Sequence, residues 1–388
     1  MEYGNEVLAR VRDLTPVLTE RAQATEDARR LPDETIADLA ATGVYDVLVP
    51  KRFGGPELAL DTLVDACREI GSGCGSTGWV TTIYAMHNWM LALFPEEAQR
   101  EVWADRPYGL MPCALSPGGT AEAVDGGYRV TGRWSWGSGV MHADHVMVMA
   151  LVTVEDTLEP RVFLLPRQDV TVHDVWHTSG MRGTGSNDIE VPDRFVPAYR
   201  SVALQDLTEG RSPGAQVNPG MMYRVPLVPV FVLTAAAPVL GIAEGLLARF
   251  AERMKGRVMA YTGVRQRDMM SGQIRLAKAT ADLAAARLLL EDEVRRLIRT
   301  YTDGGSYDLA QRANSRLVAG HVTAVARTVV NELCAVSGAS VQFTHSPFQR
   351  AQRDVNTIAG HVVFDMDATY ALYGKIALGM TPDAMTLV

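Results

Sequence analysis

The sequence has little cysteine and only a weak excess of one charge. Its 388 residues include four cysteines, Cys67, Cys74, Cys113 and Cys334, and no two are spaced as in a zinc site or a redox pair. So few cysteines also exclude a disulfide scaffold. The 37 basic and 45 acidic residues give a net charge of −8. This balance argues against a nucleic-acid-binding protein, because phosphate contacts need a basic surface.

The sequence also lacks the marks of disorder, of repeats and of a secretion signal. Hydrophobic residues make up 47% and charged residues 21%, close to the average for a soluble globular protein. The 34 glycines and 19 prolines follow no period, which excludes a collagen-like or low-complexity chain. The first 13 residues are charged and helical in pattern, unlike a signal peptide, so we expect a cytoplasmic protein.

One stretch imitates a membrane span. The segment Val225–Ala243 carries no charge and is long enough to cross a bilayer. Pro226, Pro229 and Pro238 would, however, break backbone hydrogen bonds across such a span. We therefore expect a buried helix within a large helical core rather than a transmembrane helix.

The character of the sequence changes twice along the chain. Apolar residues recur at helical spacing over residues 1–107, whereas short β-type runs separated by glycine and proline turns fill residues 108–212. Ala-rich helical patterns return over residues 213–388, including an uninterrupted one from Val355 to Leu378. These patterns predict a mostly α protein: an N-terminal helical domain, a central β-barrel or sandwich, and a C-terminal four-helix bundle.

Histidine pairs and a glycine-rich segment are the first candidates for chemistry. His142 and His145, and likewise His173 and His177, have ligand-like spacing but lack clustered glutamate or cysteine ligands, so no metal site is predicted. Residues 71–78 are dense in glycine and serine but lie between helices and lack a GxGxxG motif or a Walker lysine. We interpret this segment as a helix-breaking turn.

Two segments of the β-domain are suited to holding a flat or anionic group. The loop of residues 183–188 is rich in backbone amides and hydroxyls, which bind phosphate or a ring carbonyl unless the loop is a plain turn. Trp134 and Trp136 stand at alternating strand positions, where their rings either stack on a cofactor or pack in the core. The residues alone leave both alternatives open.

Three runs in order along the chain carry a family resemblance: DGGYRVTGRWSWGSG, WHTSGMRGTGSNDI and FQRAQRDVNTIAGH. Together with the helix–sheet–helix layout, they resemble the acyl-CoA dehydrogenase superfamily over essentially the whole chain. Within it they are most similar to the oxygenase components of two-component flavin-dependent monooxygenases, the branch that includes para-hydroxyphenylacetate hydroxylase. The resemblance implies the three-part fold already predicted from the patterns.

One position separates a monooxygenase from a dehydrogenase. Many acyl-CoA dehydrogenases carry a carboxylate base eight residues after a C-terminal Arg-Asp, to remove the proton next to the thioester carbonyl. Here Arg353-Asp354 is followed at that distance by Val362, which cannot accept a proton, with His361 just before it. The acid Glu244 keeps a dehydrogenase with a displaced base open as an alternative. A non-catalytic binding protein on the same scaffold is a second alternative.

The resemblance implies the following activity. Reduced FAD, with FMN left open, is supplied by a separate reductase, since the chain shows no NAD(P)H-binding signature. Dioxygen then gives a flavin C4a-hydroperoxide, which needs a dry pocket and hydrogen bonds to survive. The expected substrate is an aromatic or heteroaromatic small molecule, indole-like or polycyclic. The stretch Met111–Ser116 offers no histidine for a phenolate, which argues against a simple phenol.

The resemblance also assigns residues to the site. Ser138 is implied to lie near flavin N5, and His361 is implied to face the flavin. His87 is implied to orient the substrate, unless it is a buried histidine whose hydrogen bonds are all made within the protein core. Arg265, in the pattern Tyr261-x-x-x-Arg265, is implied to reach the flavin pyrophosphate of a neighbouring subunit, hence a homo-oligomer, expected to be a tetramer. The residues implied in flavin binding are Cys113, Leu115, Trp136, Ser138, Gly183, Thr184, Ser186 and Arg265. Those implied in substrate binding are His87, Trp89 and Trp136.

Overall fold

The computed structural model describes residues 2–154, 157–259, 261 and 263–382. Within these ranges the α-helices are α1 (Glu2–Ala28), α2 (Asp33–Thr42), α3 (Leu60–Gly73), α4 (Gly75–Leu91), α5 (Glu96–Val102), α6 (Leu204–Glu209), α7 (Pro213–Val217), α8 (Leu227–Gly256), α9 (Met270–Thr302), α10 (Leu309–Ala335), α11 (Pro347–Ile358) and α12 (Met366–Ala377). The strands are β1 (Cys113–Ala114), β2 (Gly119–Val124), β3 (Gly127–Gly137), β4 (His145–Val154), β5 (Thr157–Pro166), β6 (Thr171–His173), β7 (Asn187–Pro197) and β8 (Ser201–Ala203). The predicted order of helices, sheet and helices is confirmed.

Proline residues precede two of the N-terminal helices, and a glycine ends one of them. Pro32 and Pro95 occupy the N-cap positions of α2 and α5, where a missing N–H costs nothing. Gly43 closes α2 in the left-handed conformation at φ 82°. The predicted turn over residues 71–78 is much shorter than expected, because only Cys74 separates α3 from α4.

Glycines of this segment serve a close crossing between α3 and α8. A Cβ on Gly71 would lie 2.5 Å from the carbonyl oxygen of Pro238, and one on Gly241 would overlap the carbonyl oxygen of Arg68. The two helices therefore touch backbone to backbone, which larger residues would prevent. Close packing accounts for the glycine density.

The charge-free stretch lies in α8, as the predicted buried helix. Within the described ranges α8 is the one helix long and apolar enough to cross a membrane, and 83% of its most apolar window is buried inside the protein. Pro226 caps the helix and Pro238 lies within it. This burial is that of a core helix in a soluble protein.

The β-strands form one mixed sheet in the order β6-β7-β3-β2-β4-β5-β8, with β1 pairing in parallel beside β4. Its inner face packs around Trp134, Val148 and Phe163, which are fully buried. All eight described strands belong to this one hydrogen-bonded sheet. Among the described strands no ladder joins β6 to β8, so the expected barrel is not closed.

The C-terminal helices differ from the prediction at one place. The continuous helix expected from Val355 to Leu378 is wrong, because α11 ends at Ile358 and α12 begins at Met366. Gly360 follows the end of α11, and the Asp365 carboxylate accepts the Ala368 N–H to start a new helix. His361 consequently lies in a short irregular segment between two helices.

The two helical parts share one apolar core. Side chains from α1, α3 and α4 belong to the same buried cluster as side chains from α8, α9 and α10. One face of α9 takes no part in it, since Ile274 and Leu288 are 59% and 56% exposed. The domain boundaries at residues 107 and 212 stay a prediction.

Candidate functional site

Two of the three sequence runs meet where the loop of residues 179–186 crosses α11. The backbone N–H of Met181 donates to the Asp354 carboxylate at 2.6 Å, and Arg353 donates to the carbonyl oxygen of Ser179. Gly180 lies against the backbone of Arg353 with no room for a Cβ. Burial raises the pKa of Asp354 to about 6. The Arg-Asp pair therefore anchors this loop.

The third run joins the same loop at the end of β3. The N–H of Gly139 donates to the carbonyl oxygen of Thr184 at 2.8 Å, and the Tyr84 hydroxyl donates to the carbonyl oxygen of Gly139 at 2.5 Å. Gly183 packs so closely that an added Cβ would lie 2.5 Å from Thr25 of α1. Helices α1 and α4 thus hold the loop from the other side.

A chain of hydrogen bonds crosses this junction. The indole N–H of Trp79 donates to the Ser138 hydroxyl at 3.1 Å, and the hydroxyls of Ser138 and Ser186 lie 2.8 Å apart. Ser186 and Thr184 follow at 2.6 Å, and Thr184 donates to the carbonyl oxygen of Met181 at 2.8 Å. Ser138, Thr184 and Ser186, separate in sequence, are therefore brought together.

The two strand tryptophans divide between core and surface. Trp134 is fully buried and donates to the carbonyl oxygen of Met149 at 2.6 Å. Trp136 is 59% exposed, and its ring centroid lies 5.8 Å from that of Trp176. Trp176 in turn donates its indole N–H to the carbonyl oxygen of Met181 at 2.9 Å. The pair offers an aromatic surface beside the hydroxyl chain.

His361 approaches the hydroxyl chain through Trp79, with ring centroids 5.5 Å apart. The N–H of Val363 donates to Nδ1 of His361 at 3.2 Å, so the neutral ring carries its proton on Nε2. No described residue bonds to Nε2. The side chain is solvent-exposed, yet enough protein surrounds it that desolvation lowers its pKa. His361 presents an N–H donor.

His87 has the opposite tautomer. Its Nδ1 lies 2.7 Å from the carbonyl oxygen of Met111, which can only accept, so Nδ1 holds the proton and Nε2 a lone pair. The ring is 1% exposed and lies against Phe231, with centroids 5.6 Å apart. Burial lowers its pKa to about 4. His87 is a neutral acceptor at physiological pH.

Strand β1 lies between the sheet and the helices. Cys113 and Leu115 pack against the helical core, whereas Ala114 between them belongs to the core of the sheet. Burial raises the pKa of the Cys113 thiol, so it stays protonated and unreactive. These two side chains can line a cavity but can supply no charge.

Two predicted site residues lie elsewhere in the chain. Trp89 is fully buried, and its N–H donates to the carbonyl oxygen of Met222 at 2.9 Å, so the structure gives it a place in the core. Arg265 is exposed in the connection between α8 and α9, where its backbone bridges to Val258. Thr262, within the motif around Arg265, lies outside the described residues.

The histidine pairs are engaged with acids. His142 lies 3.0 Å from Asp33, and His173 lies 2.5 Å from Glu190. In the part of the chain that the structure describes, no three His, Cys, Asp or Glu residues are grouped to hold a metal ion.

The candidate for a displaced base is also engaged. Glu244 accepts a hydrogen bond from Arg68 at 2.8 Å, in an ion pair between α8 and α3. Val362, at the position where many dehydrogenases carry the base, is 72% exposed and apolar. Neither position offers a free carboxylate.

Sequence reasoning missed Trp79, Trp176 and the Met181 carbonyl. Trp79 lies within an apolar helix, where its pattern predicts core packing, and Trp176 begins one of the three runs but was given no role of its own. The Met181 carbonyl is a backbone group with no sequence signal. Only the partner of the Trp79 indole, 59 residues further along the chain, reveals its role.

Comparisons with known proteins match the whole chain. Residues 5–106 match the profile of the acyl-CoA dehydrogenase N-terminal domain and residues 233–366 that of the C-terminal domain. The oxygenase subunit HsaA of a flavin-dependent monooxygenase from Mycobacterium tuberculosis is 35% identical over 98% of this chain and 97% of its own length. The oxygenase component of an FADH2-dependent resorcinol hydroxylase from Rhizobium sp. is 32% identical over 97% and 95%.

Solved structures agree. The 3-HSA hydroxylase from Rhodococcus sp. RHA1 superimposes with a TM-score of 0.94 at 34% identity, covering 99% of both chains. XiaF from Streptomyces sp., in complex with FADH2 and glycerol, superimposes with a TM-score of 0.91 at 27% identity. That match covers 100% of this chain and 98% of XiaF.

Proposed function

Since the chain belongs to the acyl-CoA dehydrogenase family and is a flavin-dependent monooxygenase, we propose that it inserts one atom of dioxygen into an aromatic or heteroaromatic small molecule, indole-like or polycyclic. The relatives are oxygenase components, which implies that a separate reductase supplies the reduced flavin. The observation that carries the proposal is the junction of Ser138, Trp79 and His361, which holds donors and acceptors but no free carboxylate base.

The residues at this junction fit a flavin. Exposed Trp136 packs against the partly buried Trp176 and stands two residues before Ser138, which is itself partly exposed. When bound, reduced flavin supplies the electrons that activate dioxygen. Trp136 would cover the ring, the loop around Gly183 would meet its polar edge, and Cys113 and Leu115 would exclude water from it. FAD is expected, and FMN remains the alternative to be compared.

His361 would act on the oxygen side of the reaction. Its Nε2–H is a donor with no described protein partner, and its lowered pKa keeps the ring neutral at pH 7. A neutral donor can hold an oxygen atom by a hydrogen bond without protonating it to release hydrogen peroxide. We assign His361 this catalytic role.

His87 would act on the substrate side. Its Nε2 lone pair can accept the N–H or O–H of an aromatic ring, and Phe231 provides an apolar surface for that ring. The two histidines thereby supply complementary hydrogen bonds. Trp89 was predicted to bind substrate, but its bond to Met222 supports a role in positioning α4 instead.

The exposed side of the C-terminal helices supports an oligomer. Ile274 and Leu288 form part of an exposed apolar face on α9, and Arg265 is exposed in the segment that precedes this helix. A second copy covering this face would place Arg265 beside a neighbouring subunit, where it could bind a flavin pyrophosphate. We propose a homotetramer in the cytoplasm.

The alternatives make different predictions from the monooxygenase. A dehydrogenase with a displaced base would need a free acid, but Glu244 is paired with Arg68. A non-catalytic protein would bind neither form of flavin. The monooxygenase alone consumes reduced flavin and dioxygen to give an oxygenated product.

The test uses the purified chain, chemically reduced FAD or FMN, and air enriched in the heavy isotope of oxygen. A panel of indoles, phenols and polycyclic aromatics is screened by mass spectrometry, and hydrogen peroxide is measured in parallel. We expect one labelled oxygen atom in the product of at least one substrate. Failure to bind reduced flavin, or bleaching of bound oxidised flavin by an acyl-CoA, would overturn the proposal.

A further inference from the structure

The hydroxyl chain behind Ser138 has a defined direction, which begins at the carbonyl oxygen of Met181. That oxygen carries no proton, and it lies 2.8 Å from the Thr184 hydroxyl. Two oxygen atoms approach this closely only with a proton between them. Thr184 must therefore donate to Met181, and its single proton is committed there.

The direction passes from Thr184 to Ser138. Ser186 lies 2.6 Å from Thr184 and must donate to it, because the Thr184 proton is already engaged. Ser138 lies 2.8 Å from Ser186 and must donate in turn. Thr184 and Ser186 are 2% and 3% exposed, so bulk water does not compete for these bonds. The single proton of the Ser138 hydroxyl is thus committed to Ser186.

The remaining contact of Ser138 leaves one acceptor position. The Trp79 indole can only donate, and it occupies one lone pair of the Ser138 oxygen at 3.1 Å. A second lone pair is left on the one hydroxyl of the chain that is partly exposed. Toward any ligand at this junction, Ser138 is an acceptor and not a donor.

Flavin changes its hydrogen-bonding character at the central ring on reduction. The oxidised form presents a lone pair at N5, the unsubstituted nitrogen of its central ring, whereas the reduced form carries an N–H there. We infer that Thr184 and Ser186 are positioning residues: they hold Ser138 as an acceptor toward flavin and thereby set how strongly the site favours the reduced form over the oxidised form. This inference rests on the proposed function, which places flavin at Ser138.

Such a preference serves an enzyme that receives its flavin from another protein. A reductase-fed pool contains both redox forms, and only the reduced form reacts with dioxygen. A lone pair of Ser138 facing a lone pair of oxidised flavin would also promote release of the spent cofactor after each turnover. The chain of hydroxyls would therefore favour binding of reduced flavin and release of oxidised flavin.

The experiment compares the dissociation constants of reduced FAD, measured anaerobically, and of oxidised FAD. Ser186→Ala removes the group to which Ser138 donates and frees its proton for the ligand. We expect the ratio of the oxidised to the reduced dissociation constant to fall about tenfold, a hydrogen-bond-sized effect. For a two-electron couple this lowers the midpoint potential of the bound flavin by roughly 30 mV.

Thr184 provides an independent variant and a rescue. Thr184→Val removes the hydroxyl at nearly constant volume and should lower the ratio in the same direction, whereas Thr184→Ser should retain the wild-type ratio. Thr178→Val is the matched control. The Thr178 hydroxyl donates to the Gly180 carbonyl oxygen at 2.9 Å, next to the same loop, but it takes no part in the series of hydroxyls that ends at Ser138.

The outcomes separate this inference from the proposed function. If wild-type protein and Ser186→Ala have the same ratio, and Thr184→Val does too, the positioning role is wrong although the monooxygenase stands. If the wild-type protein binds neither flavin form, the proposed function fails and the positioning role fails with it. Thermal melting of each variant shows whether an altered ratio belongs to a folded protein.

Discussion

His87 and His361 occupy contrasting parts of the protein. His87 lies in the middle of a long buried helix and is enclosed by apolar side chains, whereas His361 lies in an irregular segment between two helices and is exposed. Backbone groups fix both rings, a carbonyl for His87 and an N–H for His361. The same residue type thus becomes an acceptor in one place and a donor in the other, through the polarity of one backbone neighbour.

The largest expected effect tests the donor side. His361→Ala removes the Nε2–H, so product formation should fall roughly 100-fold, the usual cost of losing one positioned donor. Hydrogen peroxide release should rise, because the oxygen would no longer be held. Product and peroxide per flavin oxidised are measured together, with exposed His321 of α10 changed to Ala as the control. Unchanged coupling in His361→Ala would remove this residue from the mechanism.

The buried helix crossing and the irregular segment before His361 should also differ in their tolerance to an added methyl group. Gly241→Ala forces a Cβ into the carbonyl oxygen of Arg68 where α8 crosses α3, whereas Gly360→Ala places a Cβ no closer than 3.3 Å to the Thr357 carbonyl oxygen. We expect Gly241→Ala to lower the free energy of unfolding by about 1–3 kcal/mol. Gly360→Ala should change it by less than about 0.5 kcal/mol. Equal values from denaturant titration would contradict the contrast.

The pH dependence of the free energy of unfolding tests whether His87 is neutral and buried. The His87 pKa is about 4 in the folded protein and about 6.5 in the unfolded chain, so the unfolded chain binds the extra proton between these values. Stability is therefore lost as the pH falls from about 6.5 to about 4, by up to roughly 1.4 kcal/mol per unit. Below about 4 both states are protonated and this loss ends.

The pH effect of His87 is isolated by difference. Asp354 has its pKa raised to about 6 by burial, so it opposes the trend in the same range. Unfolding of wild type and His87→Asn is compared at pH 7, 6 and 5, since Asp354 is common to both. Wild type should lose more stability than the variant over this range, and parallel curves would exclude a neutral buried His87.

The smallest expected effect concerns the acceptor side. In His87→Asn the side-chain amide can still donate to the Met111 carbonyl oxygen. The variant lacks, however, the Nε2 lone pair that His87 offers to the substrate. We expect KM for the aromatic substrate to rise about tenfold, the value of one hydrogen bond, with little change in peroxide release. A loss of coupling as large as that of His361→Ala would mean that the two histidines do not have separate roles.

The sequence was enough to predict which segments form the site, but not the hydrogen bonds that connect them. The three runs predicted the regions of Ser138, the Thr184–Ser186 loop and His361, because short motifs keep their order and spacing in a family. The break around His361 was missed since Val355–Leu378 keeps a helical pattern, and Asp365 inside it was not recognised as an N-cap. The bond from Trp79 to Ser138 joins residues far apart in sequence, and no local pattern encodes such a contact.

The charge-free stretch of α8 also bears on how the protein is made. Helices α1 to α4 leave the ribosome first, but the core that they share with α8 cannot close until residues 227–256 have been synthesised. Until α10 follows, the most apolar helix of the chain is incompletely covered and prone to aggregate or to engage chaperones. The free energy that stabilises the core around α8 is therefore gained only after α10 has been synthesised.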